Sequence, residues 1–295
     1  MNAPGDVVRS ARIDHALVLT IDNPPVNVLS RIVLDALSER LDEAVDDLEV
    51  RAVVLVSAAE KAFAAGANIR EMAPMGPAEA FEHGSRGQSL TRKIERLPLP
   101  VIAAVHGVSY GGGCEIVLAC DFVLASTDAQ FGQPEINLGI MPGWGGTRRL
   151  PRRIGLAAAR RWVLLGRPVT AEAAEAAGLV DRVVPRSELL SSSLALAEEL
   201  AAKPALALAA AKYALLHAID PDVDRGLAYE LDLWARLFGT RGQKEGMEAF
   251  LAKRALVPAP RDDWERASAG FPWSRESAAG PPGGKRKKGG VSGRG

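Results

Sequence analysis

Four short apolar runs, set between stretches of helical period, limit what this chain can fold into. They are the first part of "ALVLTIDNPP" (16–25), "RAVVLVSA" (51–58), "PVIAAVHG" (100–107) and "DFVLAST" (121–127). The first reads as a strand closed by a turn, since Asn-Pro-Pro cannot continue a ladder. The runs at 51–58 and 100–107 are apolar at nearly every position, as in strands covered on both faces. Between them, Ser30 is placed to cap a helix whose inner face is Ile32, Val33, Leu37, Leu41 and Val45. "KAFAAGANIREM" (61–72) reads as a glycine-containing loop. A polar helix is predicted over about 77–96, before Pro98, and "IVLACD" (116–121) continues a helix that follows three glycines. Strand and helix alternate, which predicts an α/β domain.

The pattern changes after residue 143. Short helical segments are followed by "GLVDRVV" (178–184) and then by four helical stretches from about 186 to 254, punctuated by Pro204, Pro221, Gly239 and Gly242. The expected organisation is a mixed core over 1–200, a helical region over 201–258 and a Gly/Pro/basic tail over 259–295. Leu231, Leu233, Trp234, Leu237, Phe238, Met247, Phe250 and Leu251 make the helical region too apolar to bury on itself, which points to self-association. The tail stretch "SAAGPPGGKRKKGGVSGRG" (277–295) has the composition of a disordered segment.

Of the 295 residues, 47% are hydrophobic and 24% charged, which supports a globular core, and 36 basic residues balance 36 acidic ones. No overall charge calls for nucleic acid or an anionic membrane. Neither a signal peptide nor a membrane-spanning run is expected, and with only Cys114 and Cys120 the chain reads as a cytoplasmic protein without disulfides. His15, His83, His106 and His217 are scattered, so no metal site is expected.

The chemistry lies in "SYGGGCEIVLACD" (109–121). A helix N-terminus offers unpaired N–H groups and a partial positive charge, and glycine lets a ligand oxygen approach the backbone. That makes a donor site for a developing oxyanion; a tight packing turn would explain three glycines almost as well. The spacing of a phosphate loop or a dinucleotide fingerprint is absent. Glu115 stands just inside the helix, where the dipole is expected to keep it ionised. Glu135 follows Pro134 in "AQFGQPEINLGIMPGWGGTRRL" (129–150), before a second glycine-rich helix start. Two carboxylates facing one substrate do not both ionise easily, and an acid beside a base suits addition of water to a double bond.

"KAFAAGANIREM", "HGVSYGGGCEIVLACDFVLAS" and "FGQPEINLGIMPGWGGTRRLPRRIG", with "AAEAAGLVDRVVP" and "EGMEAFLAKR", resemble the enoyl-CoA hydratase (crotonase) family in order from about residue 15 to 255. The resemblance implies a spiral of ββα turns with a C-terminal helical trimerisation region, assembled as a homotrimer or homohexamer. It implies an oxyanion hole from the N–H groups of Ala67 and Gly112, with Glu115 activating water and Glu135 exchanging the α-proton. Gly143 would position the thioester, Ala65 and Ile69 would line the adenine pocket, and Phe250 and Lys253 would reach coenzyme A, often on a neighbouring subunit. No cofactor is implied beyond the coenzyme A of the acyl-CoA thioester substrate. Two positions depart from the pattern. Asn68 replaces a common Asp, and Trp144 replaces a small residue beside the acyl pocket, which it would either reshape or pack outside of.

Three functions fit: an enoyl-CoA hydratase acting on trans-2-enoyl-CoA, a Δ3-Δ2-enoyl-CoA isomerase, or a binding protein on the same scaffold that touches RNA through its basic tail. Glu115 weighs against the isomerase, which needs only the second acid. The pair of glutamates weighs against the binding protein, and no nucleic-acid or membrane partner is expected.

Overall fold

The computed structural model describes residues 6–218, 222–258 and 261. The runs read from the sequence become β2 (Ala16–Ile21), β4 (Ala52–Ser57), β7 (Val101–Val105) and β9 (Phe122–Ser126). With β1 (Val8–Ile13) and β12 (Arg182–Val184) they form one six-stranded sheet in the order β1-β2-β4-β7-β9-β12. All neighbours are parallel except β1 and β2.

Continuous apolarity in these strands reflects two cores, because alternate side chains point to opposite faces. Leu17, Leu19, Val53, Leu55, Val101, Ala103 and Val123 pack into one with α1 (Arg31–Asp46) and α3 (Pro77–Arg96). Ala16, Val18, Ala52, Val54, Ile102, Ala104 and Leu124 pack into the other, under Leu189 and Ala197 of α7 (Leu189–Ala201). Ser30 stands at the N-cap of α1 as expected, but its side chain makes no capping bond.

The expected loop at 61–72 is instead β5 (Ala62–Ala64), β6 (Gly66–Ala67) and the short α2 (Ile69–Met72). Together with β3 (Val28–Leu29), β8 (Val108–Tyr110), β10 (Gln130–Gly132) and β11 (Val169–Thr170), these are strands too short to show a period. β5, β8, β10 and β11 make a second sheet, and β3 pairs with β6. The chain thus runs from a long strand to a short one to a helix, then repeats: β7, β8, α4 (Gly112–Ala119), and next β9, β10, α5 (Gly146–Leu165). These are the ββα turns implied by the resemblance.

After α6 (Ala171–Ala176) and α7, the helices α8 (Ala205–His217), α9 (Val223–Arg236) and α10 (Arg241–Leu251) complete the C-terminal helical region. Ala210 and Leu233 anchor a small cluster with Tyr213 and Tyr229. Among the described residues no helix is long and apolar enough to cross a membrane. The tail expected at 259–295 lies outside the described residues apart from Arg261, which is buried and donates to the carbonyls of Asp47, Val50 and Val45.

Candidate active site

The short sheet brings the two glutamates together. β8 and β10 are parallel and in register, with Val108, Ser109 and Tyr110 opposite Gln130, Phe131 and Gly132. They therefore leave the sheet side by side at its carboxyl edge, where α/β sheets bind ligands. β8 runs into Gly111 and α4, which carries Glu115; β10 runs into Gln133 and the 3-10 helix Pro134–Leu138, which carries Glu135. The Gly111 N–H donates to the Gly132 carbonyl at 3.0 Å and ties the two exits together.

Each of the three glycines has its own steric cause. Gly111 has φ +51, and a Cβ there would lie 3.0 Å from Oε1 of Glu135. A Cβ on Gly112 would lie 2.4 Å from the Trp144 indole, and one on Gly113 2.3 Å from the Ala64 carbonyl oxygen. At all three positions the atoms that exclude a Cβ belong to the protein itself, as the packing-turn reading requires. Gly66, at φ +99, brings β6 against the start of α4: a Cβ on it would sit 2.9 Å from the Tyr110 carbonyl oxygen and 3.6 Å from the Gly112 nitrogen. That juxtaposes Ala67 with Gly112, whose N–H is in the first turn of α4 and has no acceptor within the helix.

Glu115 is 2% exposed, and its Oε1 accepts the N–H groups of Trp144 and Gly146, both at 2.7 Å. The backbone donors that favour its ionised form are not those of its own helix. The amides come from the start of α5, about thirty residues on, and burial outweighs them: it raises the Glu115 pKa, opposed by Gly146, Trp144 and the Arg149 guanidinium. Glu135 is raised to about 7, by burial first and also by the charge of Glu115, against its own backbone amide. Its Oε2 is buried and has no hydrogen-bond partner among the described residues. One carboxylate is thus held by two donors, and its neighbour is free to carry a proton at neutral pH.

Both line a cleft of about 370 Å³ with Ala65, Ala67, Ile69, Gly112 and Gly143. Gly143 lies in the coil before α5, its carbonyl accepting from Gln88 at 2.9 Å. Phe250 and Lys253 are absent from the lining. Phe250 projects from α10 at 82% exposure, and Lys253 follows that helix in the left-handed region at φ +52. Asn68 caps α2, its side chain accepting from the Arg70 N–H at 3.1 Å. Trp144 lines the cleft rather than packing outside it. Sequence reasoning passed over His83, Gly84, Met72 and Met75, which also line the cleft. Its available signal was a pair of glycines, Gly84 and Gly87, inside a long helix, where glycine is unfavourable unless something approaches closely.

Comparison with known proteins places this architecture. The family model described as enoyl-CoA hydratase/isomerase matches residues 14–257. A short-chain-enoyl-CoA hydratase of Clostridium acetobutylicum is 40% identical over 81% of this chain and 92% of its own length. A crotonyl-CoA hydratase of Syntrophomonas wolfei is also 40% identical, over 80% of this chain and 92% of its own. The crystal structure of an enoyl-CoA hydratase from Bacillus anthracis superposes with a TM-score of 0.81 at 35% identity, covering 85% of this chain and 98% of that one. Sequence and fold agree, and the chain belongs to the enoyl-CoA hydratase/isomerase, or crotonase, family.

Proposed function

We propose that the protein is an enoyl-CoA hydratase, adding water reversibly to a trans-2-enoyl-CoA to give a 3-hydroxyacyl-CoA. The observation that carries this reading is the carboxylate pair: two buried glutamates in one cleft, with unequal hydrogen bonding and raised pKa values. The thioester oxygen sits on the N–H groups of Ala67 and Gly112, which stabilise negative charge as it develops there. Glu115, held by Trp144 and Gly146, takes a proton from water as the oxygen adds to the β-carbon. Glu135 in its protonated form delivers a proton to the α-carbon, and the enolate collapses. Proton count balances: one leaves water, one reaches carbon, and the pair exchanges charge. Unequal environments are what separate acid from base in such a pair.

Ala65, Ile69 and Gly143 border the cleft where the coenzyme A portion would enter. Phe250 and Lys253 serve the cleft of a neighbouring copy, which accounts for their exposure here. The exposed apolar side chains of α9 and α10 support a homotrimer, alone or paired into a homohexamer.

The test is a comparison of two substrates on the wild-type protein. Loss of enoyl absorbance from trans-2-butenoyl-CoA, faster than any shift of the double bond in 3-butenoyl-CoA, is expected. A 3-enoyl-CoA isomerised far faster than the 2-enoyl-CoA is hydrated would replace this reading with the isomerase.

A further inference from the structure

Trp144 is held more tightly than a wall residue needs to be. Its N–H donates to Glu115, and its carbonyl accepts from the Thr91 hydroxyl and the Arg149 guanidinium, each at 2.9 Å. The backbone is therefore tied to α3, α4 and α5 at once. The indole, 3% exposed, is wedged between α3 and α4. A Cβ on Gly87 would lie 2.2 Å from it and one on Gly112 2.4 Å, so both helices use glycine where the ring lies. His83 of α3 stands against it, with ring centroids 5.6 Å apart, and burial lowers the His83 pKa, favouring the neutral imidazole.

This placement bears on the acyl chain. The indole contacts the glycine whose N–H is assigned to the thioester oxygen, and the backbone N–H of Trp144 holds the water-activating carboxylate. A chain that starts at that oxygen and passes the glutamates has no passage between α3 and α4, because the ring fills it. Elsewhere the cleft is lined by apolar, uncharged residues that include Met72, Met75, Ala80 and Gly84, together with His83.

We propose that the Trp144 indole is the chain-length stop of the acyl pocket, so that the preferred substrates carry short apolar acyl chains of about butenoyl size. This rests on the acyl-CoA reading of the cleft. Selectivity follows from sterics: the ring cannot withdraw, since its backbone is fixed on both sides and the glycines close over its faces. A longer chain must displace it or bend out past the methionines. Replacing the ring should open the gap between the helices.

The experiment is a binding titration of saturated butyryl-CoA and decanoyl-CoA, which cannot be hydrated, to the wild type, Trp144→Ala and Trp144→Met. The wild type should favour butyryl-CoA by at least about 10-fold, and the variants should move that ratio toward decanoyl-CoA by at least about 10-fold, within the usual scale for pocket shape selection. Trp144→Met keeps an apolar filler, so the test survives if Trp144→Ala does not fold. Equal wild-type affinities, or a ratio unchanged in the variants that fold, would overturn the proposal. Length discrimination in binding without any hydration would leave it standing and remove the hydratase reading instead; binding of neither thioester would remove both.

Discussion

Helices α4 and α9 use their side chains in opposite ways. All eight residues of α4 are buried, Glu115 included, against strands and helices of the same chain. In α9 only Leu233 is buried, while Leu227, Leu231 and Trp234 are exposed, as are Phe250 and Leu251 on α10. The first helix is finished by its own polypeptide, and its packing fixes the backbone amides and carboxylates in place. The second presents an apolar surface that its own chain leaves uncovered, which on our reading a second copy covers. The lesson is that the chemistry is built in the closed part of the molecule, and the open part completes what reaches it from outside.

The largest structural effect should come from adding one carbon in the closed part. Gly113→Ala places a Cβ 2.3 Å from a carbonyl oxygen that cannot move without β5, and should cost about 1–3 kcal/mol, as overpacking does. Denaturant unfolding checks it, and an unchanged midpoint would mean that α4 is looser than its burial implies. In the open part, Leu231→Lys should instead act on assembly. Sedimentation should show subunit affinity weakened by about 10-fold or more, or about 1.4 kcal/mol, with the fold of each subunit retained. No change in assembly would take α9 out of the interface.

A smaller effect concerns pH. The folded Glu135 pKa, about 7, lies above its unfolded value of about 4.3. Its neutral form is favoured in the native state, so the stability linked to it is present in full below about pH 4.3 and is lost as pH rises through about 7. Glu135→Gln removes that dependence. The Tm difference between variant and wild type should move in the variant's favour by several degrees between pH 5 and pH 8. A constant difference would place the Glu135 pKa in the ordinary carboxylate range. Smallest of all, Gly226→Ala in α9, where a Cβ would meet nothing within 4 Å, should stabilise by about 0.5–1 kcal/mol. The sign is opposite to that at Gly113, and finding the same sign at both would erase the contrast between the helices.

The same contrast separates what was legible in the sequence from what was not. The helix predicted over 77–96 is α3, Pro77–Arg96, because Pro77 and Pro98 bracket it. The four long strands were legible because burial on both faces leaves an unbroken apolar run. The strands of the second sheet, two or three residues each, have no period to read, and with them went the pairing of β8 with β10 that explains the meeting of Glu115 and Glu135. The glutamates themselves could be picked out from residue type and their place beside glycine-rich helix starts. The donors to Glu115 could not, since Trp144 and Gly146 act through backbone groups from a helix that only the fold brings near. The side on which Trp144 packs was likewise undecided until Gly87 and Gly112 were seen to close over it.

The central claim is that the closed part of the chain holds an acid and a base acting on one acyl thioester. It is tested most directly by the rate of hydration of trans-2-butenoyl-CoA in Glu115→Gln and Glu135→Gln, with butyryl-CoA affinity measured on the same preparations. Each substitution keeps the size of the side chain and removes its proton transfer, so each should lower kcat by about 10²-fold or more while binding stays within a few-fold of about the wild-type value, because the oxyanion donors are backbone N–H groups. Hydration that survives either substitution nearly intact would contradict the account.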